Sequence, residues 1–260
     1  MRLLIHQIDA FAENPFEGNP AAVLPLDDWL PDSLMRSIAM ENQLSETAFF
    51  VPEGDGYRIR WFTPLEEVDL CGHATLASAW VLLNELRPDC QTVNFQSISG
   101  PLNVSKDGDW LVLDFPSRPG VPSPEHIPAL KTVLGIRPTE ALMSRDLVAV
   151  LDSEEQVRSI APDLVALTDL PGFGVLVTAE GDEYDFVSRC FFPKDGIPED
   201  PVTGSAHSTL IPYWSKRLNK KHLNAFQASQ RGGRLRCQDC DNRVLIAGKA
   251  VKIMEGTMFV

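Results

Sequence analysis

EVDLCGHATLASAW (residues 67–80) is answered further along the chain by EDPVTGSAHSTLIPYW (residues 199–214), and this near-repetition decides how the sequence is read. In both stretches acidic residues lead to a glycine among small residues and then to an apolar run, the pattern of a strand-to-helix junction. Gly72 and Gly204 stand 132 residues apart. Four other pieces recur in the same order. AAVL (21–24) returns as VAVL (148–151), and RSIA (36–39) returns unchanged at 158–161. GD-x-Y (54–57) comes back at 181–184, and IRWFTP (59–64) is echoed by VSRCFFP (187–193). Ordered matches at a nearly constant offset describe an internal repeat. Two halves of similar fold are expected.

Five prolines between Pro116 and Pro128 mark the connection. The first half is therefore expected over 1–117, a proline-rich connection over 118–128 and the second half over 129–260, with the C-terminal strand able to return to the first half. Each half reads as strand, helix, strand, turn, strand, helix. AAVL and TAFFV are strands, and DSLMRSIAMENQL is an amphipathic helix for which Asp32 or Ser33 is the expected cap. YRIRWF alternates, with Arg58 and Arg60 on one face. In the second half Ser153 and Gln156 form an expected capping box for EEQVRSI, while GVLVT and YDFVSRCFF supply strands.

The run TLASAWVLLNEL from Thr75 is apolar on nearly every side until Asn84, so its helix should be buried all round. The simplest enclosure is a curved sheet wrapped around one central helix in each half, an α/β (α+β) architecture. Pro212 predicts that the second central helix kinks or ends there. If the halves pack by the symmetry of the repeat, both helix starts face one cleft. Each start carries N–H groups with partial positive charge, which suits a carboxylate.

Composition narrows the function classes. The chain has 260 residues, 44% of them hydrophobic, and a net charge of −13. No basic stripe exists to follow a phosphate backbone, so nucleic acid is not an expected partner. The start MRLLIHQIDAF has none of the features of a signal peptide, and Ala74–Leu83 falls well short of a membrane span. Five cysteines, an odd number, fit reduced thiols in the cytoplasm.

Candidate proton-transfer groups collect at the repeated junctions. His73 follows Gly72, Asp200 and Ser205 flank Gly204, and Glu46 opens the strand ETAFFV. Shuttling a proton between carbons needs a base that later acts as an acid, and a glutamate among apolar neighbours can be tuned for that by desolvation. Taken singly, each has a plainer reading: an edge carboxylate, a satisfied core histidine, a helix-start acid.

Together with DAF (9–11), GNPAAV (18–23), SETAF (45–49), WFTP (61–64) and LDFP (113–116), the two junction stretches resemble the phenazine-biosynthesis isomerase-like (PhzF-like) family over essentially the whole chain. The resemblance implies the diaminopimelate-epimerase fold: two pseudo-symmetric halves, each a curled, mostly antiparallel sheet around a central helix, with the site between them. It implies a cofactor-independent isomerase acting on a small carboxylic acid, with no metal. The family's acid/base glutamate falls on Glu46, its site histidine on His73, and its aspartate and serine on Asp200 and Ser205. Gly72 and Gly204 would supply backbone donors, and Asn19 would line the cleft. Proteins of the family often pair, so a homodimer is in keeping with it.

Related racemases use two opposed thiols. Here Cys71 holds the first such place but Thr203 the second, so a two-cysteine racemase is not expected; Cys71 reads as a packing residue, a remnant or an accessory acid. CQDC (237–240) reads as a hairpin turn, where one cysteine pair makes neither a zinc site nor a redox helix start. A non-catalytic carboxylate-binding protein on the same fold is the alternative function. Glu46 separates the two, because a pure binder has no use for an acid/base there.

Overall fold

The structure, a computed structural model, describes all 260 residues, Met1–Val260, and resolves two compact units. Unit 1 comprises Met1–Asp114 with Ala247–Val260, and unit 2 is Phe115–Ile246.

Unit 1 is built on β1 (Arg2–Ala10), β2 (Asn19–Pro25), α1 (Asp32–Asn42), β3 (Glu46–Glu53), β4 (Gly56–Phe62), the short β5 (Glu67–Val68), α2 (Gly72–Val81), β6 (Thr92–Ser97), β7 (Gly100–Asp107) and β8, which starts at Trp110. The last strand of the chain, Ala250–Phe259 (β18), pairs antiparallel with β1, and β1 pairs with β2. From there β2 runs parallel to β3, β3 antiparallel to β4, and β4 parallel to β6; β6, β7 and β8 form an antiparallel meander. One face of this sheet covers α1, where Leu3, Ile5, Leu24 and Phe49 pack on Met35 and Ile38. The other wraps α2, which touches β1, β2, β3 and β18.

Buried on all sides, α2 cannot present polar side chains to water, and its sequence complies. Its two hydroxyls bond inside the helix, Thr75 Oγ1 to the carbonyl of Cys71 and Ser78 Oγ to that of Ala74. The helix continues through a wider turn at Leu82–Leu86 to reach solvent.

Unit 2 contains β9 (Val121–Pro122), α3 (Ile127–Leu134), β10 (Glu140–Met143), β11 (Leu147–Val150), α4 (Glu154–Ser159), α5 (Leu164–Leu167), β12 (Val175–Glu180), β13 (Phe186–Phe192), β14 (Ile197–Asp200), α6 (His207–Leu218), β15 (His222–Gln227), β16 (Gly233–Cys240) and β17 (Arg243–Gly248). Here β11 is parallel to β12, β12 antiparallel to β13, β13 parallel to β15, and β15 antiparallel to β16. This is the order of pairings seen for β2, β3, β4, β6 and β7, so the sequence repeat is a repeat of topology. The central helix α6 packs on β15 and β16. Trp214, fully buried on it, lies parallel to Phe186 at 5.9 Å and donates its indole N–H to Thr178 Oγ1 at 2.9 Å. Half of the capping box of α4 forms: Ser153 Oγ accepts from the Gln156 N–H at 3.3 Å, while Gln156 Oε1 reaches past the cap residue to accept from the Asp152 N–H at 3.1 Å.

Four local expectations need correction. Asp32 and Ser33 do not cap α1; Pro31 holds the cap position and Asp32 lies in the first turn, 2.8 Å from Arg60. The second central helix does not begin at Gly204 and Ser205. Those residues form a tighter turn, with Ser205 accepting from the Ser208 N–H, and α6 starts at His207. Of the two outcomes expected at Pro212, a kink or an end, the end does not occur, and the helix continues to Leu218. Proline cannot bond to the carbonyl four residues back, but that carbonyl, on Ser208, accepts from the Arg118 N–H at 2.9 Å instead. Finally, CQDC is not a turn. Cys237 and Cys240 are the last part of β16, and residues three apart on a strand face opposite sides.

Candidate functional site

In unit 1 three backbone features converge. The first is the turn between β1 and β2. Gly18 has φ +65°, and a Cβ there would run into the Ala10 carbonyl oxygen, so only glycine lets the chain fold back tightly enough to open β2 at Asn19. The second is the parallel register of β2 and β3, which sets Glu46 across from Ala21 at the start of its strand. The third is the N-terminus of α2, where Cys71 in extended conformation (φ −138°) precedes Gly72 and His73.

These bring Asn19, Glu46, Cys71 and His73 together. Asn19 Nδ2 lies 3.1 Å from His73 Nδ1, and Cys71 Sγ lies 3.5 Å from the same nitrogen. On the far side of the ring, His73 Nε2 is 3.3 Å from Glu46 Oε2. The amide nitrogen of Asn19 only donates, so Nδ1 accepts and the ring proton sits on Nε2, on the side of the ring nearer Glu46 but without hydrogen-bond geometry to its carboxylate. Burial lowers the His73 pKa to about 3, which keeps the ring neutral at physiological pH. Cys71, expected above all as a packing residue, is thus part of the polar cluster. Glu46, Cys71 and His73 place one O, one S and one N donor within 4.8 Å of one another, a set able to hold a metal ion.

In unit 2, Asp200 ends β14 and is almost fully buried. Thr203 Oγ1 donates to Asp200 Oδ2 at 2.5 Å. Gln227, at the end of β15 and wholly buried, donates to the Asp200 carbonyl at 2.7 Å and accepts from the Thr203 N–H at 2.8 Å. His207 Nδ1 lies 2.9 Å from the Thr203 carbonyl and so carries the ring proton, and burial lowers its pKa to about 4. Gly204 and Ser205 follow Thr203 directly, Gly204 buried and Ser205 half-buried. Thr203 and Gln227 were not singled out for this role in the sequence. Thr203 lies within the DPVTGS stretch; Gln227 carries no motif, and only the parallel pairing of β13 and β15 brings it near.

A pH dependence follows from the two histidines. Between pH 6.5 and about 4 the unfolded chain binds protons at His73 and His207 that the folded chain refuses. Their contribution is complete above pH 6.5 and declines as pH falls through this range. Thermal melts should therefore show the midpoint falling below pH 6.5, before ordinary carboxylates titrate, with a shallower fall for His207→Gln. A midpoint unchanged down to pH 5 would contradict the neutral, buried state of both rings.

Residues 8–256 match the family described as "Phenazine biosynthesis-like protein" (PhzC-PhzF). A Pseudomonas aeruginosa protein named as an uncharacterized isomerase is 51% identical over 259 residues, covering 99% of each chain. A crystal structure from Enterococcus faecalis, described as a phenazine biosynthesis protein of the PhzF family, is 52% identical with a TM-score of 0.97 and covers 100% of both chains. At 9% identity and a TM-score of 0.65, over 98% of this chain and 92% of the other, the fold also matches a hydroxyproline epimerase from Agrobacterium vitis. No helix is long and apolar enough to cross a membrane. The diaminopimelate-epimerase-like reading of the fold holds, and the chain belongs to the phenazine biosynthesis-like family.

Proposed function

We propose that this protein is a cofactor-independent isomerase or epimerase that moves a proton between carbon atoms of a small carboxylic acid, with Glu46 as the general acid/base. The observation that carries this reading is the pairing of Glu46 with a neutral His73 at 3.3 Å beside the start of an all-buried helix. Burial removes the imidazolium from the states accessible near neutral pH, so a proton taken from carbon resides on the carboxylate until it is returned. Asn19 holds the His73 ring beside the Glu46 carboxylate. Asp200 is assigned a second catalytic role by the family pattern, and the bonds from Thr203 and Gln227 fix its position. Gly72, Gly204 and Ser205 are assigned to the substrate carboxylate.

Isomerase names among the relatives support the reaction class, and the hydroxyproline epimerase with its bound trans-4-hydroxy-L-proline supports a small carboxylate as the substrate class. A cytoplasmic location and a homodimer belong to the same reading. The test is exchange in heavy water with a panel of small carboxylic acids, read by mass spectrometry as carbon-bound deuterium. Label that appears with wild type and vanishes with Glu46→Gln supports it. Thermal stabilisation by an acid that never gains label would favour the carboxylate-binding alternative.

A further inference from the structure

The carboxylate of Glu46, the thiol of Cys71 and the imidazole of His73 are three chemically different donors at one point, and only the first and last have a use in proton transfer. Cys71 and His73 are 4% and 3% exposed, and the Glu46 side chain is 12% exposed. Their donor atoms, one from each residue, lie within 4.8 Å of one another; sulfur is 3.5 Å from His73 Nδ1 and the carboxylate 3.3 Å from Nε2, so an ion held by one ring nitrogen has one of these two short edges. A tetrahedral zinc bonded at about 2.3 Å to sulfur and about 2.0–2.1 Å to nitrogen and oxygen separates such donors by roughly 3.3–3.6 Å. The set therefore has to close by only about 1 Å along its widest edge.

We propose that this pocket binds a single Zn²⁺ through Glu46, Cys71 and His73, and that the bound ion inhibits the protein. Three protein donors leave the fourth tetrahedral position to water or to an oxygen of the substrate. Sulfur selects a thiophilic ion over the hard cations that exposed carboxylates attract. Binding replaces the Cys71 S–H bond by a sulfur–zinc bond and sends that proton to solvent, so affinity rises with pH. Inhibition, the part of the proposal that rests on the proposed function, follows because the ion takes the carboxylate of Glu46, the proposed base. His73, held neutral by burial, does not replace it as the proton acceptor.

The other cysteines offer nothing equivalent. Cys237 and Cys240 lie on opposite sides of β16, and the neighbouring acids Asp239 and Asp241 are held by Lys221 at 3.1 and 2.8 Å. Burial pushes the Cys190 and Cys237 thiols well up, away from the thiolate a metal requires.

Metal-stripped protein should be titrated with zinc chloride by calorimetry, and with cobalt(II), whose thiolate charge-transfer absorption reports a sulfur ligand. Wild type and Cys237→Ser should each take up one ion per chain and show the absorption. Cys71→Ser should lose it and bind at least about 100-fold more weakly, beyond the 10–100-fold that loss of a merely supporting group costs. Circular dichroism would verify that the variant is folded. No uptake, or uptake and absorption unchanged in Cys71→Ser, overturns the site. Zinc that binds at this site without slowing deuterium exchange overturns the inhibition. If no acid is exchanged at all, the isomerase reading falls while the zinc site is judged on the titration alone.

Discussion

Replacing Glu46 by glutamine should remove at least about 100-fold of turnover, the lower end of what general acid–base catalysis contributes. The substitution preserves size and leaves an amide oxygen to face His73 Nε2, so the fold and the start of β3 should be undisturbed. What it removes is the capacity to hold a proton. His73 cannot substitute, because burial lowers its pKa to about 3 and the ring would have to charge in an enclosed site. Asn19 fixes the same ring in the tautomer that carries its proton on Nε2. The measurement is the rate of deuterium incorporation into the best acid of the panel, with ligand-induced thermal shift as the check on binding. Undiminished incorporation with Glu46→Gln would show that the acid/base lies elsewhere.

Gly18→Val should be strongly damaging outside the polar cluster, costing about 2–5 kcal/mol of stability. Two contributions add. A β-branched residue at φ +65° sits in the left-handed region, at a cost of about 1–2 kcal/mol. The new Cβ also meets the backbone oxygen of Ala10 and lies 3.0 Å from Ala12 Cβ, so backbone must move, adding about 1–3 kcal/mol. Gly54 provides the control. It has nearly the same φ, +58°, but a Cβ there has no atom within 4 Å, so Gly54→Val should show only the first contribution. Because Gly18 directly precedes Asn19, the Gly18 variant should also loosen the His73 ring and lower turnover. Chemical denaturation of both variants with the exchange assay separates these effects. Equal losses at the two positions would show that the close approach to Ala10 is immaterial.

Much of this architecture was legible because it depends on long apolar runs. The helix α2 could be read as buried since the nine residues Thr75–Leu83 carry no charge and only two hydroxyls, and β2, β3, β12 and β13 since each is a compact apolar stretch. The features that escaped are decided by partners far along the chain. Pro212 reads as a kink or a stop, and nothing near it reveals that Arg118 will satisfy the Ser208 carbonyl. Gly-Ser-Ala suits a helix start and a tight turn equally well, and the structure uses it as a turn. At the site, Glu46 and His73 stood out through the motifs around them. The role of Gln227 could not, because a lone buried glutamine acquires meaning only from the strand pairing that sets it beside Asp200 and Thr203.

The pairing of β1 with β18 bears on how the protein emerges from the ribosome. Arg2 faces Phe259 across this ladder, and the Val260 N–H bonds to the Met1 carbonyl at 3.0 Å. Unit 1 thus takes its last strand from residues translated after the whole of unit 2, whereas unit 2 is one continuous segment, Phe115–Ile246. The second unit to begin synthesis is the first that can be completed. Until β18 is made and pairs, the nascent first unit exposes the flank of β1 that β18 will cover, a surface for chaperones to guard. Joining the two ends with a short linker and opening the chain at an exposed turn such as Gly54–Asp55 would make a permuted protein, for which adjacent termini are the favourable circumstance.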